Sequence, residues 1–375
     1  MHVHLYSQDS LKQKKIVFNG YVKDMQTVIF QDVKGDWITA NLIHNRLNCK
    51  WFMSQKFTAS AELRNRFLYG SILTNFPGYD KTFEADNGII KMSKNIFEEK
   101  SFLLNTSIDR AWLQYSTEKF QLTAGRQRIN WGQTFVWNPN DIFNSYSYFD
   151  FDYEEKPGSD AVRMQYYSSP TSIFEIAAKV NGKKKTTVAG LYRFNKWNYD
   201  FQFIGGIAEE TDLVIGTGWS GQLIDGGFRG EATFFYPKKN FSDTTGILIA
   251  SMGYDYTFKN SLFLQVEALY NGNKDTVNIF SPDQFSTSDI NTKNLFLSDY
   301  SIFASISYPF TPLMNGSLSG IINTKNKLYF VIPSINISLK ENLELSFIAQ
   351  LLQYYGKQAN SYDMYYIFAR LKSSF

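Results

Sequence analysis

Hydrophobic and polar residues alternate with period two along most of the chain, and no apolar run approaches the roughly 18 residues of a membrane-spanning helix. In the last segment Tyr365, Ile367, Ala369 and Leu371 share one face, while Tyr366, Phe368, Arg370 and Lys372 share the other. Phe57, Ala59, Ala61 and Leu63 oppose Thr58, Ser60, Glu62 and Arg64 in the same way. Phe174, Ile176, Ala178 and Val180 oppose Ile173, Glu175, Ala177 and Lys179. Phe228, Gly230, Ala232 and Phe234 oppose Arg229, Glu231, Thr233 and Phe235. Val331, Pro333, Ile335 and Ile337 form one more such face, and Pro333 predicts a bulge or a local break in pairing because proline has no N–H to donate.

Scanning for this period predicts strands at 16–30, 37–53, 57–70, 102–116, 120–131, 159–168, 172–181, 186–195 and 199–208. It continues with strands at 212–223, 228–237, 247–258, 262–271, 299–308, 315–323, 329–339, 343–355 and 363–375. Eighteen strands is the reading, with sixteen as its rival. The connections sort by length: every second one is tight, and the long ones, 71–101, 133–158 and 272–298, all fall at the opposite end. A soluble sandwich has no reason to segregate its loops in this manner, whereas a transmembrane barrel has short turns on one side and long loops on the other. The fold class predicted is all-β, a closed up-and-down antiparallel transmembrane β-barrel without a plug domain. It occupies 16–375 as one domain, with both termini at the tight-turn, periplasmic end.

Composition supports this picture. Aromatic residues make up 17% of the 375 residues, with 33 Phe and 24 Tyr, a load that suits the girdles at two membrane interfaces. The mean hydropathy of -0.29 fits a barrel, in which only every second residue meets lipid. A net charge of +3 gives no reason to expect a nucleic-acid partner. Cys49 stands alone, which excludes a disulfide framework, and no zinc spacing, calcium loop or phosphate loop occurs, so no metal and no cofactor is expected. Residues 1–15 read as a leader remnant and periplasmic tail, with Ser7-Gln8 similar to a cleavage junction seen in Bacteroidota.

Arginine is distributed unevenly. Seven of the ten lie between positions 46 and 163, namely Arg46, Arg64, Arg66, Arg110, Arg126, Arg128 and Arg163. Arg64, Arg66 and Arg163 share a face with Glu62 and Gln165, which points them into the lumen. A planar, always-charged guanidinium binds carboxylates and phosphates through a two-pronged edge, so an arginine wall would favour anionic solutes. The alternative is that these arginines pair with lumen carboxylates and fill the barrel. Arg126 has the parity of Leu122 and Ala124, so either a bulge near Gly125 returns it inward or it sits at the polar rim.

The connection 133–158 carries Phe135, Trp137 and Phe143, and then the acidic run Asp150, Asp152, Glu154 and Glu155. So many rings on a solvent-facing loop would form an exposed apolar patch. Folded inward they would be buried, and the carboxylates would face Arg64, Arg66, Arg110, Arg126, Arg128 and Arg163 across a constriction. Packing on neighbouring outer loops or on another protein is the alternative.

The stretch Gly125-Arg126-Gln127-Arg128-Ile129-Asn130-Trp131-Gly132, with Asn138-Pro139-Asn140-Asp141 after it, resembles porin-like barrels of Gram-negative bacteria, above all the alginate-export-like families. That resemblance implies a strand that ends in an inward-folded loop, and a passive pore for a charged solute. Phe375 on the last strand resembles the signal read by barrel-assembly machinery. The expected partners are therefore that machinery, outer-membrane lipid and lipopolysaccharide. A scaffold barrel that docks other outer-membrane proteins or lipoproteins through 71–101 and 272–298 is the competing function. An enzyme is disfavoured, because only His2, His4 and His44 could act as a histidine base and none has a serine partner in view.

Overall fold

The computed structural model describes residues 14–144, 157–239, 245–273, 292–296, 299–323, 327–355 and 361–375. The strands in the first part of the chain are β1 (Ile16–Phe30), β2 (Ile38–Thr39), β3 (Asn41–Phe52), β4 (Phe57–Tyr69), β5 (Ser93–Glu98), β6 (Phe102–Ser116) and β7 (Phe120–Gln127). The next are β8 (Ser159–Ser169), β9 (Ser172–Val180), β10 (Thr186–Lys196), β11 (Tyr199–Ala208), β12 (Asp212–Leu223), β13 (Gly226–Pro237) and β14 (Ile247–Thr257). The chain ends with β15 (Phe263–Asn271), β16 (Tyr300–Thr311), β17 (Met314–Asn323), β18 (Leu328–Lys340), β19 (Leu343–Tyr355) and β20 (Ser361–Ser374). Two short helices, α1 (Ile72–Asn75) and α2 (Tyr79–Glu84), lie between β4 and β5.

Eighteen of these strands form the wall, each antiparallel to its neighbours, and β2 and β5 are short additions. Closure comes from β1 against β20, which run in register from Tyr21↔Ser374 to Phe30↔Tyr365 and leave no free edge. At one end every connection is tight, and the long ones all lie at the other. That between β12 and β13 is Ile224-Asp225, with φ of 48° and 61°, the paired left-handed conformation that matches the twist of a hairpin.

The period-two pattern holds in space. On β12, Val214 is 1% exposed and Ile215 is 70% exposed, and the same contrast recurs at Ala177 and Ile176 and at Ile321 and Ile322. Val162, Ile176, Val188, Phe203, Ile215, Leu248, Val266 and Ile302 carry the exposed band from β8 to β16. A belt of large apolar side chains around the outside is the surface a barrel shows to lipid. The break anticipated at Pro333 is present: pairing between β18 and β19 stops at Val331↔Leu351 and resumes at Ser334↔Ile348.

Three departures from the sequence reading occur, and the last two share a cause. The strand expected at 37–53 is divided into β2 and β3. The strand expected over 120–131 ends at Gln127, because the chain leaves the wall there. That exit leaves the upper edge of β6 without a partner, and part of the connection 71–101, expected as a plain outer loop, supplies one. β5 pairs with β6 from Ser93↔Ser107 to Glu98↔Leu103, on the same edge of β6 that β7 occupies lower down through Ala111↔Arg126. The patch reaches the far side of the gap, where Gly182 N–H donates to Asn87 O at 2.8 Å and Gly88 bridges to Asn181.

Candidate functional site

The site is built where β7 ends. Gly125 has φ +114°, a conformation other residues adopt at a cost. Pairing with β6 and β8 runs through Gly125 unshifted as far as Arg126 and Gln127, and beyond them the chain from Arg128 to Asn144 leaves the wall and runs into the barrel. Ile129, Trp131, Val136, Trp137, Ile142 and Phe143 are all buried, packed in one cluster with wall residues such as Ala177, Leu191, Ile204, Val214, Phe235 and Ile249. Trp131 and Phe143 meet edge to face at 4.8 Å. Trp137 packs against Phe296 at 5.8 Å, so the described piece of the connection 272–298 covers the segment as well. The inward fold expected of the aromatic part of 133–158 is thus present across 133–144 and buries Trp137 and Phe143, while Phe135, also expected to be buried, stays 49% exposed.

Three wall glutamates hold the segment. Glu175 on β9 accepts the Trp131 indole N–H at 2.6 Å. Glu231 on β13 accepts Thr134 Oγ1 at 2.5 Å and the Gln133 N–H at 3.3 Å. Glu267 on β15 accepts three consecutive backbone N–H groups, from Phe135 at 3.0 Å, Val136 at 3.1 Å and Trp137 at 2.8 Å. Gln202 donates to Trp131 O at 2.6 Å, and Asn140 donates to Thr217 O while accepting from Thr233. Opposite Gln133 and Asn140 the wall carries glycine. A Cβ on Gly218 would lie 2.6 Å from Gln133 Oε1 and 3.0 Å from Asn140 Nδ2, so this recess exists only because the side chain is missing.

The expected arginines fall into three environments. The first is a network across β3, β4 and β6. Arg46 donates to Asp109 at 2.6 Å and to Glu62, Arg64 lies 3.2 Å from Asp109, and Arg110 lies 3.5 Å from Glu62. A register shift between Glu62 and Leu63 makes Asp109 the extra residue of a bulge, so Asp109 and Arg110 both enter this network despite adjacent positions. Arg66 donates to Phe83 O and Asn105 Oδ1, both at 2.9 Å, and lies over the Phe83 ring.

The second environment is the wall patch. Arg126 is 6% exposed and donates to Asp160 at 2.7 Å, Asp86 at 2.8 Å and Ile90 O at 2.6 Å. No bulge turns it inward, since pairing runs unshifted through Gly125; Arg126 stays at the end of β7, where it rivets segment 86–90 to β8. The third environment borders the inward segment. Arg163 lies 2.9 Å from Glu175, the carboxylate that also holds Trp131, and Arg128 lies 3.9 Å from Asp141. The side chains of Arg110, Arg128 and Arg163 keep 19%, 22% and 23% exposure, the most accessible of the set that forms ion pairs. Asp150, Asp152, Glu154 and Glu155 lie outside the described residues.

Sequence reasoning did not single out Glu175, Glu231 and Glu267 as anchors, although it placed Glu175 and Glu231 on the faces opposite Phe174 and Phe234. A glutamate in mid-strand among apolar neighbours was the available signal. It also missed Arg229, which lies 3.8 Å over the Phe135 ring and pairs with Asp255 at 2.6 Å. His44 is buried against Tyr21, a space-filling role, and no group of side chains able to hold a metal occurs among the described residues.

No family model matches the sequence, and no curated protein does. Solved structures do share the architecture. Acinetobacter baumannii OccAB4 matches with a TM-score of 0.58 at 12% identity, covering 97% of this chain and 99% of its own. Acinetobacter baumannii OccAB1 and Pseudomonas aeruginosa OccK8 (OprE) each match with a TM-score of 0.60 at 8% identity, over 96% of this chain and 97% and 98% of theirs. These neighbours are outer-membrane porins. At such identities the likeness establishes the fold: this chain is an 18-strand antiparallel barrel of the bacterial outer-membrane type.

Proposed function

We propose that the protein is a porin-like channel of the bacterial outer membrane that passes small solutes, with anions favoured. One observation carries this reading: a closed 18-strand barrel whose lumen is narrowed by its own segment 128–144, fixed to the wall by side chains on β9, β11, β13 and β15 and by a backbone carbonyl of β12. A barrel that served only as a scaffold would need its outer loops and has no use for a segment built into the lumen.

Anion preference is the finer part of the proposal, and the pairing pattern reshapes it. Arg46, Arg64 and Arg126 are spent on carboxylates in buried or nearly buried places. A paired charge contributes a weaker field to the pore than a free one. The arginines best placed to act on a passing solute are Arg128 and Arg163 beside the inward segment, and Arg110 in the network of β3, β4 and β6; all three are ion-paired, but their side chains stay partly exposed. The test is the reversal potential under a potassium chloride gradient. The variant Arg128→Gln/Arg163→Gln is expected to move it toward cations, and by more than Arg64→Gln/Arg66→Gln does. Equal, negligible shifts in both would leave the arginines as packing.

A further inference from the structure

The inward segment is attached at its tip by a feature that does not belong to a barrel wall as such. Residues 135–137 turn three successive backbone N–H groups toward one carboxylate, Glu267, and the adjacent Thr134 and Gln133 bond to a second, Glu231. Both glutamates are 1% exposed. Among the described residues neither forms an ion pair with an arginine or lysine. The charged groups beside them are Arg229 on β13, near Glu267 and paired with Asp255 on β14, and Asp141 on the segment itself, near Glu231 and 3.9 Å from Arg128. An ionised carboxylate is acceptor-only, with about four lone-pair sites. It is therefore matched to a fan of N–H donors in a way that a neutral acid or amide is not.

We propose that Glu267, assisted by Glu231, is a proton-operated latch that positions the inward segment and so sets the width of the lumen. With Glu267 ionised, the tip 133–137 lies against β13, β14 and β15 and the remaining lumen stays clear. When Glu267 takes up a proton, a donor replaces an acceptor in front of three N–H groups. The tip then leaves the wall and intermittently obstructs the path. Glu267 is a positioning residue in this account, acting on solutes through the segment. The effect on current rests on the channel reading; the attachment itself does not.

Two measurements decide it, both in a Cys49→Ala background. Thr134 Oγ1 and Ser251 Oγ lie 3.0 Å apart, so Thr134→Cys/Ser251→Cys reports by cross-linking on whether the tip is seated. At neutral pH the pair should cross-link readily under a mild copper oxidant, and adding Glu267→Gln should slow the reaction at least about tenfold, the loss expected for a charge-assisted hydrogen bond. In planar bilayers the parent protein should give quiet steps at neutral pH and flickering in acid. Glu267→Gln should flicker at every pH, and its cross-linked form should be quiet at every pH. Cross-linking at the parent rate in Glu267→Gln overturns the latch, as does a Glu267→Gln channel with the parent's pH profile. If the parent protein conducts nothing, the channel reading fails, and the cross-linking rates still decide the attachment.

Discussion

Replacing Arg126 with methionine isolates the wall patch. The side chain keeps its volume and apolar stem, but the four donor contacts to Asp160 Oδ1, Asp160 Oδ2, Asp86 and Ile90 O disappear. Asp86 and Asp160 are then left nearly buried with their cation removed. Breaking a buried ion pair from one side costs about 3–5 kcal/mol. That corresponds to a shift of roughly a hundred- to several-thousand-fold in the opening equilibrium of whatever the pair holds shut. What it holds is local: Asp86 also accepts from Gly88 and Met92, and Asp160 from Ile90, so the penalty falls on 86–98 and the β6 edge beneath it. Hydrogen exchange in detergent micelles is the assay. Amides of 93–98 and of 103–108 should lose protection, while those of β12 to β17 keep theirs. Adding Asp86→Asn and Asp160→Asn should restore part of the protection by removing the stranded charges. Unchanged exchange in 93–98 would refute the rivet, and uniform loss around the barrel would show that Arg126 supports the whole wall instead.

Three further outcomes are expected. Gly218→Val places atoms where Gln133 and Asn140 sit, so the inward segment should be pushed off the wall into the lumen and the conductance step should shrink or flicker, with thermal stability of the wall little changed. Deleting Phe375, whose backbone exchanges two 3.0 Å hydrogen bonds with Gly20, should lower accumulation in the outer membrane more than deleting Asn360 does, measured by fractionation and blotting. The folded protein in detergent should run faster on a gel before boiling than after, since a closed barrel has no edge from which to fray.

The wall was legible because its signal is local. Side-chain direction in a strand depends only on parity, so Ile215 against Val214, or Glu175 against Phe174, could be assigned without knowing any neighbour. The overrun of 120–131 shows the limit of the same rule. Ile129 and Trp131 alternate with Arg128 and Asn130 as strand residues facing lipid would, yet their side chains are buried inside the barrel. Burial against a lumen wall and exposure to lipid ask for the same residue types, and only Gly125 marked the change of course. β5 left almost no pattern of its own, because it is a strand chiefly through the vacant edge of β6. Arg126 was ambiguous for a related reason: its partner Asp86 lies 40 positions away and is brought near only by that patch. Glu267 fared worst. Its role depends on backbone N–H groups 130 or more positions distant, and no side-chain periodicity encodes a backbone donor.

The most direct test of the central claim compares the purified protein in planar bilayers with a variant in which 129–143 is replaced by a short Gly-Ser linker. A channel narrowed by its own inward segment gives discrete, stable steps, and the shortened variant gives larger ones. Steps of equal size would show that the segment does not form the constriction. Closed, correctly folded barrels that give no steps in either form would contradict the channel itself and leave the scaffold function in its place.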